Sequence, residues 1–175
     1  MKNFKKLILV LTAIAMVSCG EKKEKEQIKL TDQPAETSKT ATETEASTKD
    51  ENVVEITITG NDQMQYNMAE MKVKAGQTVR LTLKHVGKMD KNVMGHNWVL
   101  LTKGTDIGAF GQAAVAAKAT DYIPAGTDKV IAHTKLLSGG ESDTIEFVAP
   151  AAGTYDFICS FPGHYALMKG KFIVE

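Results

Sequence analysis

Near its C-terminus the chain reads Cys159-Ser160-Phe161-Pro162-Gly163-His164-Tyr165-Ala166-Leu167-Met168, and a second histidine stands upstream in Met94-Gly95-His96-Asn97-Trp98. One thiol, two imidazoles and one thioether are soft and borderline donors, a set that suits copper in both of its oxidation states. Zinc is served less well, because it favours four strong ligands in a tetrahedron and a thioether is a weak one. Two histidines and a cysteine in a trigonal plane, with a weak axial methionine, make the arrangement that passes one electron at a time. Taken singly, each residue has a duller use: a lone His is usually satisfied elsewhere, and a lone Met or free Cys usually fills a core. The spacing Cys-x4-His-x3-Met together with a distant Gly-His-Asn-Trp makes the metal reading the stronger one.

Short strands must position these donors. Val54, Ile56 and Ile58 alternate with polar neighbours before Gly60-Asn61-Asp62 breaks the run. Met71 and Val73 lead to Ala75-Gly76, and Val79, Leu81 and Leu83 alternate strictly. His96, Trp98 and Leu100 share one face of another expected strand, and Val130, Ile145 with Phe147, Tyr155 with Phe157, and Phe172 with Val174 mark the rest. A period of two is the pattern of half-buried strands. Thr105 to Thr120, rich in Ala and Gly, reads as a helical excursion closing at Tyr122-Ile123-Pro124. The expected fold is all-β, a sandwich or barrel of antiparallel type with one short helical insertion. Alternation puts Tyr155, Phe157 and Cys159 on one side of their strand, so Cys159 and His96 are expected to point inward near one end. Pro162-Gly163 then turns the chain, leaving His164 on the loop and Met168 at the start of the returning strand.

Residues 1–18 read as a processing signal: Lys2, Lys5 and Lys6 precede Leu7 to Val17, an apolar run too short to span a bilayer. Small residues just before Cys19 resemble a bacterial lipoprotein signal, in which that cysteine becomes the acylated first residue. Export places the protein in an oxidising compartment, where Cys19 and Cys159 could in principle pair. Lipidation of Cys19 excludes that pairing and spares the thiol the site needs. Residues 19–52 hold no aromatic residue and one proline, Pro34. They cannot bury enough apolar surface to offset their ordering entropy and are expected to form a disordered tether. That stretch carries six lysines against nine acids, whereas residues 53–175 balance at twelve each. The domain thus offers no basic field for nucleic acid by count.

Residues 53–175 resemble the azurins, blue copper proteins of the cupredoxin fold, along nearly their whole length. The matching stretches are Gly60-Asn61-Asp62-Gln63-Met64-Gln65, Lys91 to Leu100, Val130-Ile131-Ala132-His133-Thr134-Lys135 and Phe161 to Gly170. The resemblance implies a Greek-key β-sandwich holding one copper ion that cycles between Cu(I) and Cu(II). It implies His96, Cys159 and His164 as equatorial ligands, Met168 as a distant axial one, and the Gly95 carbonyl as a second weak axial contact. It further implies that the backbone amides of Asn97 and Phe161 donate to the Cys159 sulfur. The Asn97 side chain would bridge the two ligand loops, and Trp98 would be the buried indole of the core. A docking rim around the His164 edge would comprise Met64, Met89, Val93, Met94, Phe161 and Ala166. His85 matches a partly buried family histidine that binds no metal, and His133 a surface one. The family's staple between its first and third strands is missing, Val54 and Gly76 standing at the corresponding positions. Tyr165 replaces a small polar residue and is expected to reshape the docking rim.

The function expected is one-electron carriage in the cell envelope or periplasm, on a membrane anchor, between transiently docked redox proteins. C-type cytochromes, or a reductase holding copper or haem, would be such partners. The alternative is copper storage or delivery, suggested by Met64, Met68 and Met71, although strand geometry keeps those thioethers from converging. An enzyme is not expected, since the sequence shows no second metal cluster and no catalytic carboxylate pair.

Overall fold

The structure, a computed structural model, describes residues 52–175; the expected signal, Cys19 and nearly all of the tether lie outside the described residues. Nine strands are described: β1 (Val53–Asn61), β2 (Gln65–Tyr66), β3 (Glu70–Val73), β4 (Thr78–His85), β5 (Val99–Leu101), β6 (Val130–His133), β7 (Ser142–Val148), β8 (Gly153–Ile158) and β9 (Lys169–Val174). They form one sheet of order β2-β1-β4-β7 and another of order β3-β9-β8-β5-β6. Ile58, Val79, Leu81, Leu83, Trp98, Leu100, Phe157 and Phe172 fill the core in which both sheets share. In β4 the alternation is strict, Val79, Leu81, Leu83 and His85 facing in and their neighbours out.

The sandwich agrees with the sequence, and most of its strand pairings are antiparallel as expected; two are not. β1 runs parallel to β4 from Val53↔Thr78 to Gly60↔His85, and β3 parallel to β9. Hydrophobic alternation is the same for either direction, so only the tertiary pairing decides it. Gly76, at φ 78, takes the left-handed turn that leads from β3 into β4. Cys159 is free, so the join between β1 and β4 rests on the ladder and the core beneath it.

Helical structure is more dispersed than expected. A four-residue helix α1 (Lys91–Met94) starts at Asp90, whose side chain accepts from the Asn92 N–H. The eight-residue α2 (Ile107–Ala114) is capped by Asp106, which accepts from the Ala109 N–H. Single 3₁₀ turns cover Lys118–Thr120 and His164–Ala166. The region around α2 buries the far face of β5 and β8: Val99, Leu101 and Ile158 join Phe110, Ala114, Tyr122 and Ile123 in a second cluster.

Two register expectations need correction. His96 and Trp98 lie outside any strand, because β5 starts at Val99; His96 is held instead by a single bridge to Leu137. β8 ends at Ile158, so alternation does not carry through to Cys159. Tyr155 and Phe157 pack in the inter-sheet core, whereas Cys159 packs with Phe161 and Met168 in the second cluster. Both residues are nonetheless fully buried, as expected.

Candidate metal centre

Three connections converge at one end of the sandwich. The α1–β5 segment brings Gly95 and His96, the loop from β8 to β9 brings Cys159 to Met168, and the β1–β2 turn closes over them. The β8–β9 loop is wired by its own backbone. Cys159 N–H donates to Met168 O (2.9 Å), Met168 N–H to His164 O (2.7 Å) and His164 N–H to Phe161 O (3.0 Å). Gly163, at φ 82, supplies the left-handed step that turns His164 back toward Cys159.

The donor atoms meet as the spacing predicted. Cys159 Sγ lies 3.6 Å from His164 Nδ1, 4.0 Å from His96 Nδ1 and 3.8 Å from the Gly95 carbonyl oxygen. The one ligand atom of each of His96, Cys159 and His164 falls within 4.8 Å of the other two, and all three residues are buried. Three donors in a plane around one ion, at bonds of about 2.0–2.3 Å, stand about 3.5–3.8 Å apart, so these separations fit a single ion. His96, Cys159 and His164 form the candidate metal site.

The surroundings orient each donor. His96 Nε2 is 2.8 Å from the Asn61 carbonyl, which assigns the proton to Nε2 and leaves Nδ1 free toward the sulfur. The His85 ring lies 4.3 Å behind His96, with its Nε2 3.3 Å from Asp62 Oδ1 and its Nδ1 3.3 Å from the Leu137 carbonyl. His85 is thus buried and facing away from the sulfur, and His133 is exposed at the end of β6. Gly60 leaves room for this packing, since a Cβ there would stand 3.0 Å from His96 Cδ2 and 3.2 Å from Met168 Cε. Met168 is fully buried, its Cε beside the same glycine.

Backbone hydrogen bonds from Asn97 and Phe161 act on the Cys159 thiol. Asn97 bridges the loops, its Oδ1 accepting from Ser160 N–H (2.9 Å) and its Nδ2 donating to Ser160 Oγ (2.8 Å). Nδ2 also donates to the carbonyl of Asp121, a residue held at φ 55. Burial pushes the Cys159 thiol up to about 12, against the opposing pull of those amides. Burial likewise lowers His96 and His164 to about 4. The imidazoles are thus kept neutral and open to a metal, whereas the thiol has to give up its proton before it can bind one.

The rim divides. Met89 and Val93 are exposed and apolar, Ala166 is exposed, Met64 and Met94 are half-buried, and Phe161 is buried against the His164 ring at 4.6 Å. Leu167, 64% exposed, adds to this rim and was not among the residues picked from sequence. Tyr165 leaves it: its ring lies over Gly111 of α2, where a Cβ would come within 2.4 Å. The bulky residue expected to reshape the rim instead packs the 159–168 loop against the helix. Trp98 is the buried core indole, and its Nε1 has no hydrogen-bond partner. Tyr66 also reaches the site, donating its hydroxyl to the Asn97 carbonyl. It follows directly on a stretch singled out in the sequence, but nothing local distinguishes it from a strand aromatic.

A two-sheet sandwich that gathers one thiol and two imidazoles beside its end loops has the makings of a cupredoxin-type metal protein. Residues 52–175 match the family of copper binding proteins described as plastocyanin/azurin. The chain is 49% identical over 121 residues to the azurin of Achromobacter denitrificans, covering 66% of this chain and 80% of that one. It is 50% identical to azurin-2 of Alcaligenes xylosoxydans xylosoxydans, covering 66% and 93% respectively. Among solved structures, auracyanin A, a "blue" copper protein from Chloroflexus aurantiacus, superposes with a TM-score of 0.65 at 36% identity, over 70% of this chain and 99% of that one. The chain belongs to the plastocyanin/azurin family.

Proposed function

We propose that the domain is a one-electron carrier built on a blue copper centre, with His96, Cys159 and His164 as strong ligands and Met168 and the Gly95 carbonyl as weak axial contacts. The observation that carries this reading is the gathering of one thiol and two imidazoles, all buried, around a single point. Copper bound there supplies a redox couple between its cuprous and cupric forms. The chain's own part is to keep the donors still. Asn61 fixes His96, the backbone of the 159–168 loop fixes His164 and Met168, and Asn97 ties that loop to the one bearing His96. Ligands that barely move between oxidation states keep reorganisation small. Asn97 and Phe161 withdraw charge from the sulfur, and Pro162, lacking an N–H, adds no further donor.

The electron would leave through the His164 edge. Met64, Met89, Val93, Met94 and Ala166 form the apolar docking rim on this reading, suited to brief encounters with redox proteins such as c-type cytochromes or a copper- or haem-containing reductase. With Cys19 lipidated and residues 19–52 as a tether, the domain would work in the cell envelope or periplasm without leaving its membrane. No helix among the described residues is long and apolar enough to cross one. Cys19→Ser should release the chain from membranes without altering the site.

The storage alternative finds little support. Met64 packs with the site cluster, whereas Met68 and Met71 pack with the inter-sheet core. A carrier retains Cu(I) when challenged with a competing acceptor; a delivery protein gives it up. The deciding experiment loads the purified protein with Cu(II) and records its visible and paramagnetic resonance spectra and its midpoint potential. A strong thiolate charge-transfer colour that bleaches reversibly on reduction is expected; a colourless oxidised protein at full occupancy would overturn the reading.

A further inference from the structure

Tyr66 ends β2 and lies on neither ligand loop, yet its side chain spans both hydrophobic clusters. Its ring packs against Phe157 at 5.8 Å, and its hydroxyl donates to the backbone carbonyl of Asn97. That carbonyl belongs to the Asn97–Trp98 peptide, whose N–H donates to Thr134 Oγ1 at 2.9 Å. One peptide is therefore gripped on both edges, by Tyr66 and by Thr134. The Asn97 side chain is held separately by Ser160 and Asp121. The Asn97 N–H belongs to the preceding His96–Asn97 peptide, whose carbonyl accepts from Leu137 N–H at 2.8 Å, and it is a backbone donor to Cys159.

We propose that Tyr66 is a positioning residue for the redox centre: by clamping the Asn97–Trp98 peptide it keeps the Asn97 N–H aimed at the Cys159 sulfur, and so helps to set the reduction potential. This rests on the electron-carrier reading above. The physical reason is directional. Hydrogen bonds weaken steeply as donor and acceptor lose alignment, and donors to a ligating sulfur tune the metal it binds. A carbonyl deprived of its only side-chain donor in a buried setting turns toward another partner, which changes the backbone angles at Asn97 and with them the alignment of the Asn97 N–H. Burial, and then the neighbouring Cys159, hold the phenol well above its ordinary range, so the hydroxyl remains a donor.

The test is Tyr66→Phe in the full chain, which keeps the ring and removes the hydroxyl. In the metal-free protein, hydrogen exchange at the Asn97 amide should quicken by about tenfold, the loss of roughly one ordinary hydrogen bond, while amides of β4 keep their rates. In the copper-loaded protein the potential should fall and the thiolate band should shift, because a less compensated sulfur favours the oxidised ion. Thr134→Val loosens the same peptide from its other edge and should move both readouts in the same direction, so the proposal stays testable if one variant folds poorly. A lowered melting temperature with unchanged potential and unchanged Asn97 exchange would reduce Tyr66 to packing and overturn the proposal. Should the parent protein prove colourless, the electron-carrier reading fails, and the exchange comparison in the metal-free protein still decides whether Tyr66 holds Asn97.

Discussion

At the residue scale the site is a contest between protons and a cation for the same three donors. In the metal-free protein the Cys159 thiol, lifted by burial to about 12, is protonated at neutral pH, while His96 and His164, lowered by burial to about 4, are not. Metal uptake near neutral pH should therefore release about one proton per ion, all of it from the thiol. Calorimetry in buffers of different ionisation enthalpy measures this directly, and Cys159→Ala should abolish the release along with tight binding. The histidines predict a pH dependence of stability with a definite sign. Between their ordinary 6.5 and the folded value of about 4, unfolded imidazoles take up protons that folded ones refuse. Their contribution is whole above that window, drains away as the pH falls through it and levels off below. Thermal melts of the metal-free protein across the window should show this slope, and His164→Gln should remove about half of it, His96 keeping the rest. At Met168, replacement by Leu removes a weak donor to the oxidised ion, so the midpoint potential should rise while the colour persists. A lowered potential or a lost colour would deny Met168 its axial place.

At the element scale, close contacts between strands and loops decide what the site can tolerate. Gly170 lies opposite Phe157 in the β8–β9 ladder, and a Cβ there would stand 2.2 Å from Phe157 Cζ and 2.5 Å from the Ala69 carbonyl. Neither neighbour can give way cheaply, because one is a core ring and the other is backbone. Gly170→Ala should cost about 1–3 kcal/mol, as overpacking of a filled core does, and denaturant titration of the metal-free protein would measure it. The acidic and basic ladder on the outer face has less effect. Arg80 bonds Glu55 and Glu146 on the two flanking strands, but all three side chains are about half exposed or more, and such pairs contribute roughly 0–1 kcal/mol. The β1–β4–β7 sheet is thus held chiefly by its buried face.

At the scale of the whole molecule, the domain is nearly neutral while the apolar rim gathers on one side of the centre. Docking through such a rim should depend weakly on salt, since few charges take part. Val93, 59% exposed, tests the idea. Val93→Asp should slow electron exchange between oxidised and reduced molecules by about tenfold, through a desolvated charge at the contact, while potential and spectrum stay unchanged. Stopped-flow or magnetic resonance line broadening gives the rate, and an unaltered rate would move the docking face elsewhere.

What the sequence alone determined about this protein is the chemistry of each donor and the loop that joins Cys159, His164 and Met168, because the loop is written within ten consecutive residues. The inward-facing residues of β1, β4, β8 and β9 were legible from their period of two. Tertiary structure decided which strands lie side by side and in which direction, so the parallel pairings of β1 with β4 and of β3 with β9 were not foreseen. It also decided that His96 sits beyond the end of a strand, that Cys159 packs away from Tyr155 and Phe157, and that Tyr165 turns to α2. Tyr66 shows the limit most plainly: its partner Asn97 is thirty-one residues away, and a pattern that records only how deeply a side chain is buried says nothing about which distant carbonyl its hydroxyl will meet.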